Sequence, residues 1–199
     1  MKAWISKTAI AMAMAIVLAV PVLAHADTWQ IDSSHTSVEF TVRHMMISNV
    51  KGQFQKTTGT ITANGNDAAS AKIDVTIDAS SIETRVERRD AHLKSPDFLD
   101  VAKYPTITFK STNVEAEGPN KWKVTGDLTL HGVTRQVVLD VEGSGPPVQV
   151  MGNTRAGASA TTKIKRGDFG LTWNKALEAG GVLVGDEVAI SIDVEAVKK

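Results

Sequence analysis

The strongest constraint on this chain is an alternation of apolar and polar side chains with a period of two residues. A β-strand that buries one face and leaves the other in water has this pattern. The clearest case runs from residue 71 to 79. Its apolar members are Ala71, Ile73, Val75, Ile77 and Ala79, and its polar members are Lys72, Asp74, Thr76 and Asp78. The segment therefore predicts a strand with one face directed into a core.

Similar alternation recurs along most of the chain and predicts about eight strands. The segments lie at 29–32, 38–43, 50–62, 71–79, 106–114, 122–130, 135–141, 156–165 and 188–194. No repeating helix separates them, so we expect an antiparallel all-β fold rather than an α/β fold. Gly52 and Gly59 lie inside a strand pattern, where bends are expected, and they favour a closed barrel. A β-sandwich remains the alternative architecture.

Turn residues separate these strands. Tight turns are predicted at 64–67, 118–120 and 131–132, where asparagine, glycine and proline concentrate. Residues 143–152 are predicted to form a longer loop, because the proline pair at 146–147 cannot join a central strand.

Residues 88–105, called the island below, interrupt the alternation with a compact, charged and turn-rich segment. Leu93 is followed by Pro96, Phe98 and Leu99. This order predicts a short helical segment near residues 86–100, a stop at the proline and an apolar plug. Such an island is either a lid on a cavity or a corner that closes a barrel.

Residues 1–26 have the features of a secretory signal peptide. Lys2 and Lys7 give a positive start, and an apolar run over 10–20 precedes a small-x-small cleavage site that ends at Ala26. The run is shorter than the roughly 20 residues of a spanning helix, which favours a cleaved leader over an uncleaved anchor. The mature chain is predicted to begin at Asp27 and to form a single domain over 27–199. We expect it in the periplasm, or secreted, and not as an integral membrane protein.

The mature chain has no cysteine and nearly balanced charge. Without Lys2 and Lys7, 20 basic residues stand against 22 acidic ones. Neither sign forms a long block, so nucleic acid is not an expected partner. The lack of cysteine excludes a disulfide framework and thiol chemistry, so stability must come from the core.

The sequence carries no recognisable catalytic or metal-binding motif. The histidines after the leader are His35, His44, His92 and His131. They lie in four separate elements without the local spacing of metal ligands, and no nucleophile elbow or phosphate loop is present. We therefore expect no catalytic residue, no metal and no cofactor. A hydrolase or isomerase would have to use His92 with Asp90, or His35 with Ser34.

An arginine-rich run at the start of the island allows two interpretations. Arg85, Arg88 and Arg89 are interspersed with acidic residues, which fits an ion-pair network that fixes the island to a barrel rim. The other interpretation places guanidinium groups at a cavity mouth, where they hold an anionic or carbonyl head group. The head-group or rim candidates are Arg88, Arg89 and His92.

The most distinctive motifs of the chain follow one another in a fixed order. They are Trp29-Gln30-Ile31-Asp32, Ser34-His35, Val38-Glu39-Phe40, His44, Gly52-Gln53-Phe54, the island residues 89–100 with Tyr104-Pro105, Gly126-Asp127-Leu128-Thr129-Leu130-His131-Gly132-Val133-Thr134, and Val184-Gly185-Asp186-Glu187-Val188. Together they resemble the YceI-like family of periplasmic polyisoprenoid-binding proteins over essentially the whole mature chain. The island is the best match.

The resemblance implies an extended, lipocalin-like barrel of eight antiparallel strands around a long apolar pocket. The pocket would accept an isoprenoid tail, such as that of a quinone or a polyprenyl lipid, or another long-chain amphiphile. The resemblance also implies a non-enzymatic protein that is often a homodimer. The candidate ligand-binding residues are Phe40, Val42, Phe54, Ile73, Val75, Ile77, Leu93, Phe98, Phe109, Leu128, Leu130, Val137, Leu139, Trp173, Ile190 and Ile192.

We therefore expect a periplasmic protein that holds an isoprenoid-type lipid in its barrel for transport or storage. Two alternatives remain. One is the lipid-acting enzyme already mentioned. The other is an interaction module, because a small barrel can be filled by its own side chains and periodicity does not reveal a hole.

Overall fold

The computed structural model describes residues 26–65, 67–178 and 180–199, so the predicted signal peptide lies almost entirely outside the described residues. Strands dominate the fold. They are β1 (Ala26–Ile31), β2 (Ser37–His44), β3 (Ser48–Phe54), β4 (Thr57–Asn64), β5 (Asp67–Asp78), β6 (Ile82–Glu83), β7 (Thr106–Gly118), β8 (Lys121–Leu130), β9 (Val133–Gly143), β10 (Val148–Val150), β11 (Asn153–Lys165) and β12 (Val184–Lys198). Helix α1 (Glu87–Lys94) and two short 3₁₀ turns, Ala79–Ser81 and Arg166–Phe169, complete the described elements.

Eight of these strands close into an antiparallel barrel. The hydrogen-bonded order is β11-β9-β8-β7-β5-β4-β1-β12, and the circuit closes where β12 pairs with β11. That closing ladder is long, from Arg155 opposite Val197 to Lys165 opposite Glu187. The predicted all-β fold, an eight-stranded antiparallel barrel with one short helix, is confirmed.

Strand β12 is long enough to pair with two strands along the edge opposite β11. Its C-terminal end pairs with β1, and its N-terminal half pairs with β2, where Ile190 lies opposite Phe40. Strands β3 and β6 continue from β2, and only Gln53 and Phe54 of β3 pair with β6. Beyond β6 the chain leaves the sheet and enters α1.

Two details of the predicted strand pattern are wrong. Residues 50–62 form two strands rather than one, because the backbone leaves the ladder at 55–56. There Gln55 N–H donates to Ser81 O and Asp78 N–H donates to Lys56 O. The predicted loop 143–152 contains the short strand β10, which pairs with β11 as an added edge. Its two prolines precede the strand, so they remove no ladder hydrogen bond.

The island forms its predicted helix and stop. Helix α1 ends at Lys94, and Ser95 takes an extended conformation, as expected of a residue that precedes proline. After Pro96 the chain turns back, and the Leu99 N–H donates to the Leu93 carbonyl at 3.0 Å. This return buries Leu99 in the hydrophobic core.

The turn between β8 and β9 requires a backbone conformation with positive φ, which His131 and Gly132 adopt. His131 and Gly132 have φ values of 52° and 72°, the left-handed pair that a tight hairpin requires. A Cβ on Gly132 would come within 2.4 Å of the Tyr104 ring. The hairpin and the end of the island therefore fit closely only with glycine at this position.

The hydrophobic core lies at the island end of the barrel. Its buried members are Ala79, Ile82, Leu99, Ile107, Leu130, Ile164, Phe169 and Leu171. They come from strands on several sides of the barrel and from the two 3₁₀ regions. The island and the loop after β11 thus close this end of the barrel with apolar side chains.

Candidate functional site

Half of the predicted ligand-binding residues lie in the hydrophobic core or against it. Those that pack directly against the core are Phe40, Phe54, Ile77, Leu93, Leu128, Val137 and Ile190, and Leu130 belongs to the core itself. All except Leu130 are only partly buried. Those on strands alternate with more exposed residues, as expected of a strand with one apolar face.

The remaining predicted lining residues are distributed along the wall. Val75 lies opposite both Gly59 and Phe109 in its two ladders, and Ile192 lies opposite Val38 and Ala160. Phe109 is buried. The others in this group, which are only partly buried, are Val42, Ile73, Val75, Leu139 and Ile192. The ladders therefore place Val75 beside Phe109, and Ile192 beside Val38 and Ala160, on shared apolar faces of the sheet.

An aromatic cluster joins the island to the loop after β11. The Trp173 ring centroid lies 4.9 Å from that of His92 and 5.1 Å from that of Phe98. His92 also meets Phe98 edge-on at 5.0 Å. Phe98 is buried, whereas His92 and Trp173 keep partial exposure. The sequence analysis predicted all three residues as site candidates, and the structure places them together at the rim.

Helix α1 is held to the barrel by Thr84 rather than by ion pairs. The Asp90 carboxylate accepts the Thr84 backbone N–H at 2.9 Å and also its hydroxyl. Arg89 donates to the Thr84 hydroxyl and to the Thr84 carbonyl, each at 2.7 Å. Arg89 and Asp90 thus order the start of the island through Thr84, whereas the ion-pair network of the first interpretation is not found among the described residues and Arg88 is exposed.

The predicted His92–Asp90 dyad does not form. His92 Nε2 lies 2.9 Å from Asp97 Oδ2, while the Asp90 carboxylate is engaged by Thr84. The helix separates them because residues two positions apart point to different sides. His92 with Asp97 therefore reads as a rim contact that orders the turn after α1.

The second proposed dyad belongs to an ion-pair network. Ser34 and His35 both contact the Asp32 carboxylate, through different oxygens, and do not contact each other. Arg155 donates to the same carboxylate at 2.9 Å and to Glu195. Hydrogen bonds from Ser34, Arg155 and His35 hold the pKa of Asp32 well below its ordinary value of 3.8.

This network also contains a possible set of metal ligands. Atoms of Asp32, His35 and Glu195 lie within 4.8 Å of one another. Arg155 already supplies a cation to both carboxylates, so a metal ion would have to displace its guanidinium group. The arrangement is that of an ion-pair network that ties β11 to β12 and to the turn after β1.

Arg166 is a buried cation at the end of β11. Its guanidinium donates to three backbone carbonyls, those of Gly185 at 2.9 Å, Leu171 and Val184. Burial lowers the pKa of Arg166, and the charge of Asp186 partly opposes that effect. The residue thus fastens the loop after β11 to the barrel end, close to Phe169 and Leu171 of the core.

Two open depressions lie on the barrel wall. One, of about 420 Å³, lies where β5 and β7 separate beyond the Asp74–Lys110 pair, and Ser111 Oγ there accepts the Ile73 N–H at 2.8 Å. The other, of about 470 Å³, is lined by residues of β2, β9, β11 and β12. Both linings are rich in threonine, serine and charged residues, so neither resembles a tunnel for an apolar tail.

The sequence analysis missed three residues that shape these contacts, Thr84, Arg155 and Arg166. Each has partners on other elements, and the pairs are separated by as many as 123 residues, as for Arg155 and Asp32. Neither alternation nor local spacing carries information about such partners. The only available signal was the interruption of an apolar face by a charged residue at Arg166, directly after Ile164 and Lys165.

Comparison with known proteins gives the class of this barrel. The sequence profile of the YceI-like domain family matches residues 29–196. A UPF0312 protein of Vibrio cholerae is 38% identical over 167 residues, which are 83% of this chain and 88% of that protein. The chain belongs to the YceI-like domain family, and the resemblance inferred from its motifs is confirmed.

Solved structures agree with this assignment. The YCEI protein of Campylobacter jejuni is 37% identical and aligns with a TM-score of 0.68 over 79% of this chain and 90% of that one. A polyisoprenoid binding domain from Saccharophagus degradans, implicated in plant cell wall breakdown, aligns with a TM-score of 0.64 over 86% and 98% of the two chains. At 16% identity, that second likeness concerns the fold alone.

The helices of the described residues were also compared with the dimensions of a bilayer. Among residues 26–65, 67–178 and 180–199, no helix combines the length and apolar character needed to cross a membrane.

Proposed function

We propose that this protein holds the apolar tail of an isoprenoid-type lipid, or of another long-chain amphiphile, inside its barrel. The observation that carries the proposal is the inner surface itself. Val75, Ile77, Leu139 and Ile192, which this proposal places on the inward face, are only partly buried. In a barrel filled by its own side chains, such groups would be covered by one another.

The energetics of tail burial support this role. Each buried CH₂ group contributes about 0.8 kcal/mol, so one five-carbon isoprene unit adds roughly 3 kcal/mol before losses of motion are subtracted. A few units suffice to retain a ligand. An aliphatic surface suits a flexible tail, which needs dispersion contacts along its length rather than directional partners.

The ligand class is proposed by analogy. The Saccharophagus domain is described as polyisoprenoid binding, and this chain has the same fold. A quinone or a polyprenyl lipid fits the aliphatic wall. The head group would lie near the rim of the island, where Arg88 and His92 on α1 keep exposed surface, whereas Arg89 is engaged by Thr84.

Export to the periplasm is part of the proposal, with the protein acting there as a carrier or store. It rests on residues 1–26, whose charge, apolar run and small residues fit a cleaved leader. We also propose a binding role without catalysis, and a homodimer as the form to test. Intact mass of the exported protein measures cleavage, and light scattering measures the oligomeric state.

Native mass spectrometry and lipid extraction test the ligand. Protein purified without detergent is expected to release a long-chain lipid into organic solvent, or to take up added quinone. Val75→Asp and Ile77→Asp should abolish uptake because a charge on the inner face opposes an apolar tail. Lys72→Asp, on the outer face of the same strand, serves as the control.

Repeated absence of lipid and of quinone uptake in folded protein would sink the proposal. Unchanged uptake in a folded Val75→Asp variant would show that β5 does not line the site. Turnover of a lipid ester that disappears in His92→Ala would instead favour an enzyme.

A further inference from the structure

Two chain turns present exposed apolar side chains at opposite ends of the barrel. The turn between β2 and β3 carries Met45, Met46 and Ile47, and Ile47 is 74% exposed. The hairpin of β10 and β11 carries Val148, Val150 and Met151. The first lies beside Leu183, just before β12, and the second lies beside Val197 near its end. About 46 Å of strand separates them, given a rise of about 3.3 Å per residue.

The first turn is part of a larger apolar surface. The Met45 N–H donates to Leu183 O at 2.8 Å, and the Met46 side chain lies against Gly181. Val182, in the same loop, is also exposed. We call Met45, Met46, Ile47 and Val182 the apolar tip. Its members come from two segments that are more than 130 residues apart in the chain, so the fold assembles it.

Cationic side chains accompany the apolar tip. An Arg43 Nη2 group donates to Met46 O at 2.9 Å, which places this guanidinium at the tip. The Lys175 backbone adjoins the tip, since Lys175 O accepts the Leu183 N–H at 2.9 Å, and its Nζ lies 6.0 Å from the centroid of the Trp173 ring. The acidic residues nearby in sequence are Glu178, Asp186 and Glu187. The Asp186 carboxylate accepts the Gly167 N–H, and Glu187 forms an ion pair with Lys163. Glu178 is exposed.

The hairpin at the other end differs in charge. Residues 143–154 contain no lysine, arginine, aspartate or glutamate. The two surfaces are therefore similar in apolar character and different in electrostatics. An anionic partner should therefore bind the apolar tip more tightly than the hairpin, because each cation near an anionic surface adds about 1 kcal/mol to the binding free energy.

We propose that the apolar tip is the surface by which this protein docks on an anionic lipid bilayer. Ile47, Met46 and Val182 enter the interface between head groups and acyl chains, and Arg43 and Lys175 contact the anionic head groups. Exposed apolar clusters of this kind mark interaction surfaces. A bilayer fits this surface because its exposed apolar side chains lie beside Arg43 and Lys175, whose charges complement anionic head groups.

This inference deepens the proposed function and rests on it for its purpose. A protein that carries a membrane lipid must exchange it with a bilayer. The docked orientation turns the Trp173 end of the barrel, rather than the β10 hairpin, toward the membrane. Docking itself needs no bound ligand, so it can be measured separately from lipid uptake.

Vesicle cosedimentation tests the proposal with the exported protein. All variants should have the same N-terminus by intact mass, so that residues 1–26 do not contribute to differences. We expect sedimentation with vesicles of phosphatidylcholine and phosphatidylglycerol, weaker binding to phosphatidylcholine alone, and weaker binding at high salt. Ile47→Asp should reduce partitioning about tenfold, and Lys175→Glu at least fivefold. Val150→Asp, at the opposite hairpin, is the matched control.

The outcomes separate the possibilities. Equal sedimentation of the folded Ile47→Asp and Val150→Asp variants would overturn the proposal, as would binding that ignores phosphatidylglycerol. Loss of a dimer in Ile47→Asp, with no vesicle binding by the parent protein, would assign the tip to self-association instead. Lipid uptake without docking would leave the proposed function intact and reject this inference alone.

Discussion

The carboxylate of Asp90 accepts both the backbone N–H and the hydroxyl of Thr84, so one turn of helix α1 is fastened to the chain that leaves β6. Thr84 is buried, with 4% of its surface exposed. Its hydroxyl also accepts from Arg89. The side chain of Thr84 thus connects helix α1 to the chain that leaves β6.

The Thr84→Val substitution tests this attachment. It keeps the shape but removes the hydroxyl, which leaves the Arg89 Nε–H without its acceptor and Asp90 with one donor fewer. We expect a loss of about 2 kcal/mol in the free energy of unfolding. Urea denaturation measures it. Thr58→Val, at an exposed hydroxyl on β4, should change stability by less than about 0.5 kcal/mol. Equal effects of the two substitutions would contradict the assigned role.

Asp32 predicts a pH dependence of stability. Hydrogen bonds from Ser34, Arg155 and His35 lower its pKa in the folded state below the ordinary value of 3.8. A group with a lowered folded pKa stabilises the protein above the unfolded value, and the contribution is lost as the pH falls through the folded pKa. The melting temperature should therefore fall below pH 4 partly through Asp32. Asp32→Asn should flatten this acid limb, and an unchanged limb would argue against the network.

The interior of the barrel can be tested by adding volume. If an apolar tail occupies space next to Val75, then Val75→Phe should fill part of that space, lower lipid uptake and leave the melting temperature of ligand-free protein nearly unchanged. In a barrel filled by its own side chains, the same substitution should cost about 1–3 kcal/mol through overpacking. Thr76→Phe, on the other face of β5, is the control for uptake. Thermal unfolding and quinone binding distinguish the two results.

Arg166 should be important for stability rather than for ligand binding. Replacing it with methionine leaves the Gly185 and Leu171 carbonyls without their donor. We expect a loss of about 3 kcal/mol, because hydrogen bonds from a charged group to buried acceptors are strong. Arg135→Met should have little effect, since Arg135 is exposed and its contact is with the adjacent Thr134 carbonyl. A folded Arg166→Met variant with full stability would contradict this role.

Local patterns predicted the elements of this protein well where one face meets water. Residues 71–79 form most of β5, and the His131–Gly132 turn has the backbone geometry that its residues favour. The break at 55–56 was missed because residues 55–60 contain only polar side chains and glycine, so no apolar residue marks the change of strand. The ladder ends there because the partner strands change. Strand β3 pairs with β2, whereas β4 pairs with β1 and β5.

The sequence by itself determined the strand periodicity, the position of the island and the family, because each can be inferred from neighbouring residues or from motifs in a fixed order. Only the tertiary structure decided which polar groups meet. It paired His92 with Asp97 instead of Asp90, set Arg155 between Asp32 and Glu195, and brought Met46 against Gly181. These contacts depend on how the barrel closes, and closure is a property of long-range strand pairing that no local pattern contains.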